Sequence, residues 1–346
     1  MEYVDKPFPW VSKSKLKSID FCKYEFYLRY IKGEKPEYDR RKSIEGTNLH
    51  MVFANFFRHL KPEHVFRDEF LSQRTPISQH PFRRFIYEAC MRFVKPTQRN
   101  WGKYKNIISN FATIETERWV QLNSFLTSKN EIFDCFKPFL IERRIEYNRG
   151  KLFGTIDRVN IEVMLDGTKK VAIYDYKTGN TPLQIKNYRS IGDPFGWRLR
   201  ADLMREIHFY GLLYLLAVGW KLSDEVLEFI NDPKYWTVGK NEYKKKKQYL
   251  TNLKDKYKPY KIGKFVKKGD ILLGFYYLSG ERGFRPTKEF NYASYKSVLL
   301  AINEYRSMVY NKNFIRHPSE IFDEKGCKFK NCFHYDRCKE MVERKY

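Results

Sequence analysis

Between residues 139 and 177 apolar and polar side chains alternate with a period of two, the mark of half-buried β-strands. Residues 139–147, 151–163 and 169–177 read as three strands in meander order, with Asp166-Gly167-Thr168 as a tight turn between the last two. The continuous apolar run Ile271 to Leu278 reads as a further, buried strand. Elsewhere the period is helical. Leu16, Ile19, Phe26 and Tyr30 recur at that spacing behind Ser12 or Ser14 as a cap. Glu45-Gly46-Thr47-Asn48-Leu49 reads as the opening of a helix from His50 to Leu60, and the interval from Pro62 to about Asn130 is helical, basic and aromatic. Arg205 to Tyr214 is a strongly apolar helix, and Tyr292 to Tyr310 is another. Residues 231–270, with Lys244-Lys245-Lys246-Lys247, are basic and poor in apolar positions, and read as a loop or ragged helix. Strands framed by helices make the chain α/β.

Two of the strands carry chemistry. The first contains Gly154-Thr155-Ile156-Asp157-Arg158-Val159, and the second contains Tyr174-Asp175-Tyr176-Lys177-Thr178-Gly179. On the second strand Ile173, Asp175 and Lys177 point the same way. If the strands are neighbours, Asp157 comes within a few ångström of Asp175. Carboxylates that close repel unless a positive group lies between them, and a hard divalent cation is the usual one. Lys177 beside them can orient a water or steady charge on a phosphate. An isolated Asp-x-Lys would be better read as ordinary alternating surface charge, and the paired spacing is what favours a site.

Charge sharpens this. In 346 residues, 66 Lys and Arg against 41 Asp and Glu give a formal net charge of +25, which points to a polyanionic partner, nucleic acid first. The 26 Tyr and 28 Phe supply core, and where interleaved with Lys they also suit base stacking. No apolar run approaches the roughly 20 residues that span a bilayer. The N-terminal residues lack the pattern of a secretory signal, so a cytoplasmic location is expected. Cys90 and Cys135 read as core thiols. Cys327, Cys332 and Cys338, with Cys22, suggest a soft-metal site, and His334 is an alternative ligand.

The segment Gly-x-Ile-Asp-Arg-Val followed by Asp-Tyr-Lys-Thr-Gly resembles the core of the PD-(D/E)xK nucleases, RecB-like branch. Phe21 to Tyr30 is similar to that family's opening helix, where the cysteine (here Cys22) is the first cluster ligand in the subset with a metal cluster. Gly46 to His50 resembles its Gly-x-x-x-His motif, which implies His50 as a metal ligand. Imidazole suits Mn²⁺ better than Mg²⁺. Glu142 resembles the glutamate of the first core strand. Tyr210 fits a Gln-x-x-x-Tyr motif, but Glu206 stands where Gln is expected. One N-terminal and three C-terminal cysteines resemble the 4Fe–4S arrangement of the CRISPR-adaptation and AddB-like nucleases. The Cys327-x4-Cys332 spacing is wider than theirs, and Zn²⁺ is the alternative.

The resemblance implies a restriction-endonuclease-like core, with a central mixed β-sheet flanked by helices, a helical insertion and a metal-cluster clasp joining the termini. It makes the chain one nuclease domain in five segments, 1–60, 61–135, 136–225, 226–270 and 271–346. It implies a metal-dependent DNA nuclease acting as an exonuclease on single strands. Asp157, Asp175, Lys177, Glu206 and Tyr210 would be catalytic, and His50, Asp157, Asp175 and the Tyr176 carbonyl would hold Mn²⁺ or Mg²⁺. The alternatives are a prespacer-trimming nuclease of CRISPR adaptation and a catalytically silent DNA-binding protein. Partner proteins would belong to repair, replication or CRISPR adaptation. A Gly-x-x-x-x-Gly-Lys-Ser/Thr helicase motif does not occur in the sequence.

Overall fold

The computed structural model describes residues 10–34, 37–71, 75–179, 201–237, 241–253, 271–279, 285, 287–313 and 335–343. A five-stranded mixed sheet lies at its centre. Strands β1 (Leu140–Tyr147), β2 (Leu152–Val163) and β3 (Lys169–Lys177) form an antiparallel meander. Strand β4 (Ile271–Tyr277) then runs parallel to β3, and the short β5 (Thr287–Glu289) closes the edge in the order β1-β2-β3-β4-β5. The bounds expected from alternation hold to within a residue or two. The turn at Gly167 has a positive φ of 78°, and the Asp166 side chain accepts from the Thr168 N–H at 3.0 Å.

Helices cover both faces of the sheet. On one side lie α1 (Lys13–Phe21), α6 (Ala201–Ala217), α7 (Asp224–Asn231) and α9 (Tyr292–Tyr310). Their apolar residues Ile207, Leu213, Phe229 and Val298 pack with Ile173, Leu273 and Phe275 of the sheet. On the other side α2 (Glu37–His59), α3 (Pro81–Phe93), α4 (Gly102–Phe125) and α5 (Lys129–Phe136) meet Ala172, Tyr174, Tyr176 and Tyr276 through Phe53, Phe57, Phe111 and Trp119. Every described residue of β4 is buried, as befits an inner strand covered on both faces. Cys90 and Cys135 are buried here as core thiols.

One expectation needs correction. The helix carrying His50 does not open at His50. It begins at Glu37, so His50 lies well inside it. Gly, Thr and Asn at 46–48 resemble start signals, but packing of this helix overrides their weak local preference. Of the two forms expected for the lysine run, the helix is the one it takes, as α8 (Glu242–Asn252), with Lys246 turned inward. Within that interval residues 238–240 and 254–270 lie outside the described residues. No described helix is long and apolar enough to cross a membrane.

Candidate metal and catalytic centre

The register of the meander assembles the site. Arg158 pairs with Tyr174, so one step further Asp157 stands opposite Asp175, where the ladder ends. The Tyr176 N–H, left without a strand partner there, donates instead to Asp157 Oδ2 at 2.8 Å. On the other side, Ile141 pairs with Arg158 and Arg143 with Ile156, which sets Glu142 opposite Asp157. Three carboxylates thus lie in a row across three strands.

Strict alternation breaks at this row. Leu140 and Ile145 of β1 both reach the α6-side core, and so do Ile156 and Val159 of β2. Glu142 absorbs the slip with a left-handed φ of 46°, a conformation that costs a residue with a Cβ about 1–2 kcal/mol. Period counting in the sequence has no means of showing this.

His50 reaches the row from α2. Its Nδ1 is 3.2 Å from Glu142 Oε1 and 3.5 Å from Asp157 Oδ2, and its ring meets Tyr176 edge-on at 5.4 Å. One ligand atom from each of His50, Glu142 and Asp157 lies within 4.8 Å of the others. Burial opposes charge on His50, but Asp157 and Glu142 outweigh it and raise its pKa to about 9. Burial, with Asp175 adding to it and His50 opposing, lifts Asp157 to about 7. Glu142 Oε1 and Asp175 Oδ2 are buried, the first facing the His50 imidazole at 3.2 Å and the second the Lys177 ammonium at 2.5 Å. Two carboxylates converging on an imidazole fit a divalent cation that takes O and N ligands, the cation taking the place of the His50 proton.

Asp175 falls outside that group of three. Lys13 Nζ sits 2.6 Å from its Oδ1, and Lys177 Nζ sits 2.5 Å from its Oδ2. These two ammonium groups override the effect of burial and hold Asp175 below the usual carboxylate range. Of the Tyr176 peptide, it is the N–H whose contact with Asp157 is seen, where the carbonyl was expected to serve. Glu206 on α6 pairs with Lys177 at 2.5 Å. Tyr210, one turn on, lies under Lys13 Nζ at 4.4 Å, and burial raises the pKa of its phenol.

Gly154 explains how α6 comes so near. A Cβ there would meet Leu213 Cδ1 at 2.8 Å and Tyr210 Cε1 at 3.4 Å. Gly46, four residues before His50, lies against Thr178 of the Lys-Thr-Gly turn at 3.6 Å from its would-be Cβ, so the two motifs meet in space.

Lys13 is the residue that sequence reasoning missed. It is 162 positions from Asp175, and nothing local marks it beyond its place after the capping Ser12. The cysteines are partly placed. Cys22 and Cys338 share one small buried cluster with Tyr24 and Leu28. Cys338 lies on α10 (Tyr335–Glu343), while Cys327, Cys332 and His334 lie outside the described residues.

No curated protein and no solved structure matches the chain. The family model of the PD-(D/E)XK nuclease superfamily matches residues 11–249, more than half of it. That stretch runs from the helix of Lys13 through His50, Glu142, Asp157, Asp175-x-Lys177 and Glu206, the residues just assembled, and it is on this match that the chain belongs to the PD-(D/E)XK nuclease superfamily.

Proposed function

We propose that this protein is a divalent-metal-dependent deoxyribonuclease that degrades single-stranded DNA from an end. The observation that carries the reading is the convergence of His50, Glu142 and Asp157 beside the Asp175–Lys177 pair. His50, Glu142 and Asp157 would hold Mn²⁺ or Mg²⁺, with Asp175 on the neighbouring strand. Such an ion polarises a phosphoryl oxygen and acidifies an attacking water.

The other roles follow from the side chains. Burial would strip the proton from Lys177, but Asp175 and Glu206 outweigh it and keep its pKa raised, so it acts as a fixed positive donor rather than a base. It would orient the water or steady the pentacovalent phosphorus. Glu206 holds Lys177 in place, and neutral Tyr210 packs beneath the cluster.

DNA fits the charge of +25. Preference for unpaired strands fits a cavity of about 680 Å³ between α2 and α3, where Arg67, Arg84 and Arg92 surround Phe85 and Phe93. The nearness of Cys22 to Cys338 supports the four-cysteine cluster, iron–sulfur in the first instance, as a clasp between the ends of the chain.

The test incubates anaerobically purified protein with end-labelled single-stranded DNA, duplex DNA and RNA, with Mn²⁺ or with EDTA, beside Lys177→Ala. Metal-dependent shortening of the single strand that vanishes in the variant is expected, from a sample with iron–sulfur visible absorption. Tight DNA binding without any cleavage would overturn the nuclease reading, and a colourless sample containing zinc would overturn the cluster reading.

A further inference from the structure

Two lysines and two carboxylates close a ring beside the proposed metal ligands. Lys13 Nζ lies 2.6 Å from Asp175 Oδ1 and 3.1 Å from Glu206 Oε1. Lys177 Nζ lies 2.5 Å from Asp175 Oδ2 and 2.5 Å from Glu206 Oε1. Each acid therefore faces both ammonium groups. The Asp175 and Glu206 side chains are only 2% and 4% exposed, so water contributes little to their solvation. With Lys177 alone, two buried carboxylates would share one positive charge, an arrangement the low-dielectric interior penalises heavily.

Lys13 supplies the balance from a different element. Ser12 caps α1, accepting from the Lys15 N–H, and so sets Lys13 at the first helical position. The Tyr210 ring 4.4 Å beneath Nζ holds the ammonium by a cation–π contact. Lys17, one turn further on, stands 3.6 Å from the other Glu206 oxygen but is 56% exposed, and it screens the mouth of the site without filling the ring.

We infer that Lys13 is a positioning residue of the nuclease centre: it supplies the second positive charge that Asp175 and Glu206 need together, so that Glu206 can hold Lys177 in place without spending the charge Lys177 offers the reacting phosphate. A glutamate at position 206 is compatible with the chemistry because Lys13 is there to answer it. The role in turnover rests on the proposed nuclease function, whereas the charge pairing does not.

A double-mutant cycle of Lys13→Met and Glu206→Gln tests it, read both as turnover with Mn²⁺ and as melting temperature in EDTA. K13M is expected to lower kcat about a hundredfold, with KM changed by less than about threefold. Adding E206Q should return at least about tenfold of that loss. In EDTA, K13M should lower the melting temperature, and E206Q should raise it again in the double variant. Should K13M alone fail to fold, folding of the double variant is the same rescue. Additive effects on both readouts overturn the inference. A K13M defect confined to KM also overturns it, because Lys13 would then be holding substrate. If the wild type cuts no nucleic acid, the nuclease reading falls and the melting cycle still decides, with coupled shifts upholding the pairing and additive shifts ending it.

Discussion

Asp157 and Arg158 are neighbours in sequence, yet they enter two buried charge clusters of opposite design. Arg158 points to the α4 side of the sheet. Its guanidinium meets both oxygens of Glu115, at 2.6 and 3.1 Å, while Arg118 binds Glu115 at 2.8 Å. Glu162 there accepts from Asn160 at 2.6 Å and pairs with Arg285 at 2.5 Å. Despite burial, these arginines hold Glu115 and Glu162 below the usual glutamate range. The cluster around Asp157 is built from lysines and a histidine, and it raises the pKa of Asp157 instead. Arginine forks fit carboxylates in a fixed, fully charged geometry, whereas lysine and histidine are point donors that can be displaced or can lose a proton. One cluster is finished and holds the sheet to α4. The other is held by partners that can be displaced, which suits the cation and phosphate of the proposed reaction.

The contrast can be broken from either side. Arg158→Met leaves Glu115 buried with half its partners and should cost about 3–5 kcal/mol in denaturant unfolding. Asp157→Asn removes a strained carboxylate, so it should reduce DNA cleavage about 10²–10³-fold while leaving the unfolding midpoint unchanged or higher. Equal destabilisation by both would show that the two clusters do not differ in kind.

Two histidines sharpen the same point. His50 sits among carboxylates and is raised to about 9, whereas His208 on α6 is lowered by burial to about 4. His208 Nδ1 donates to the Met204 carbonyl at 2.8 Å, and Nε2 accepts the Asn291 N–H at 3.1 Å, so the neutral ring is already satisfied. The unfolded chain takes up this proton near pH 6.5 and the folded chain only near 4. His208 therefore contributes stability in full above pH 6.5 and loses it as pH falls through 4, a change of roughly 3 kcal/mol. In His208→Gln the decline between pH 7 and 4, followed by unfolding midpoints, should be shallower by that amount. Identical slopes would remove His208 as the cause.

The smallest effect belongs to Gly154→Ala. The added methyl presses on Leu213 and Tyr210, which should cost about 1–3 kcal/mol and weaken cleavage by shifting α6 from Lys177. An unchanged melting curve would mean that Leu213 moves aside without consequence.

Much of this was legible in the chain. Alternation located β1 to β3, and their register follows from a short turn at Gly167, which is why Asp157 and Asp175 could be paired on paper. The bounds of α9 were legible too, because it is long, amphipathic and capped by Asn291. What stayed hidden depends on distant segments. Lys13 acquires meaning only against Asp175 and Glu206, and Arg158 only against Glu115 on α4. The slip at Glu142 is a backbone event, and no residue type there announces it. The true start of α2 was obscured because residues 46–48 have poor helix preference, and only packing keeps them helical.

The seat of α1 against α6 also fixes when this protein becomes whole during its own synthesis. Lys13 and Glu206 are 193 positions apart (206 − 13), which a ribosome covers in about 10–40 s. Lys13 can meet Asp175 first, 162 positions on, and gains Glu206 only once α6 has been made. Tyr24 must wait longer still for Met341, its contact near the far end of the chain. Nascent chains still lacking α6 thus carry the His50 helix and the Asp175–Lys177 strand without the Glu206 that completes the ring.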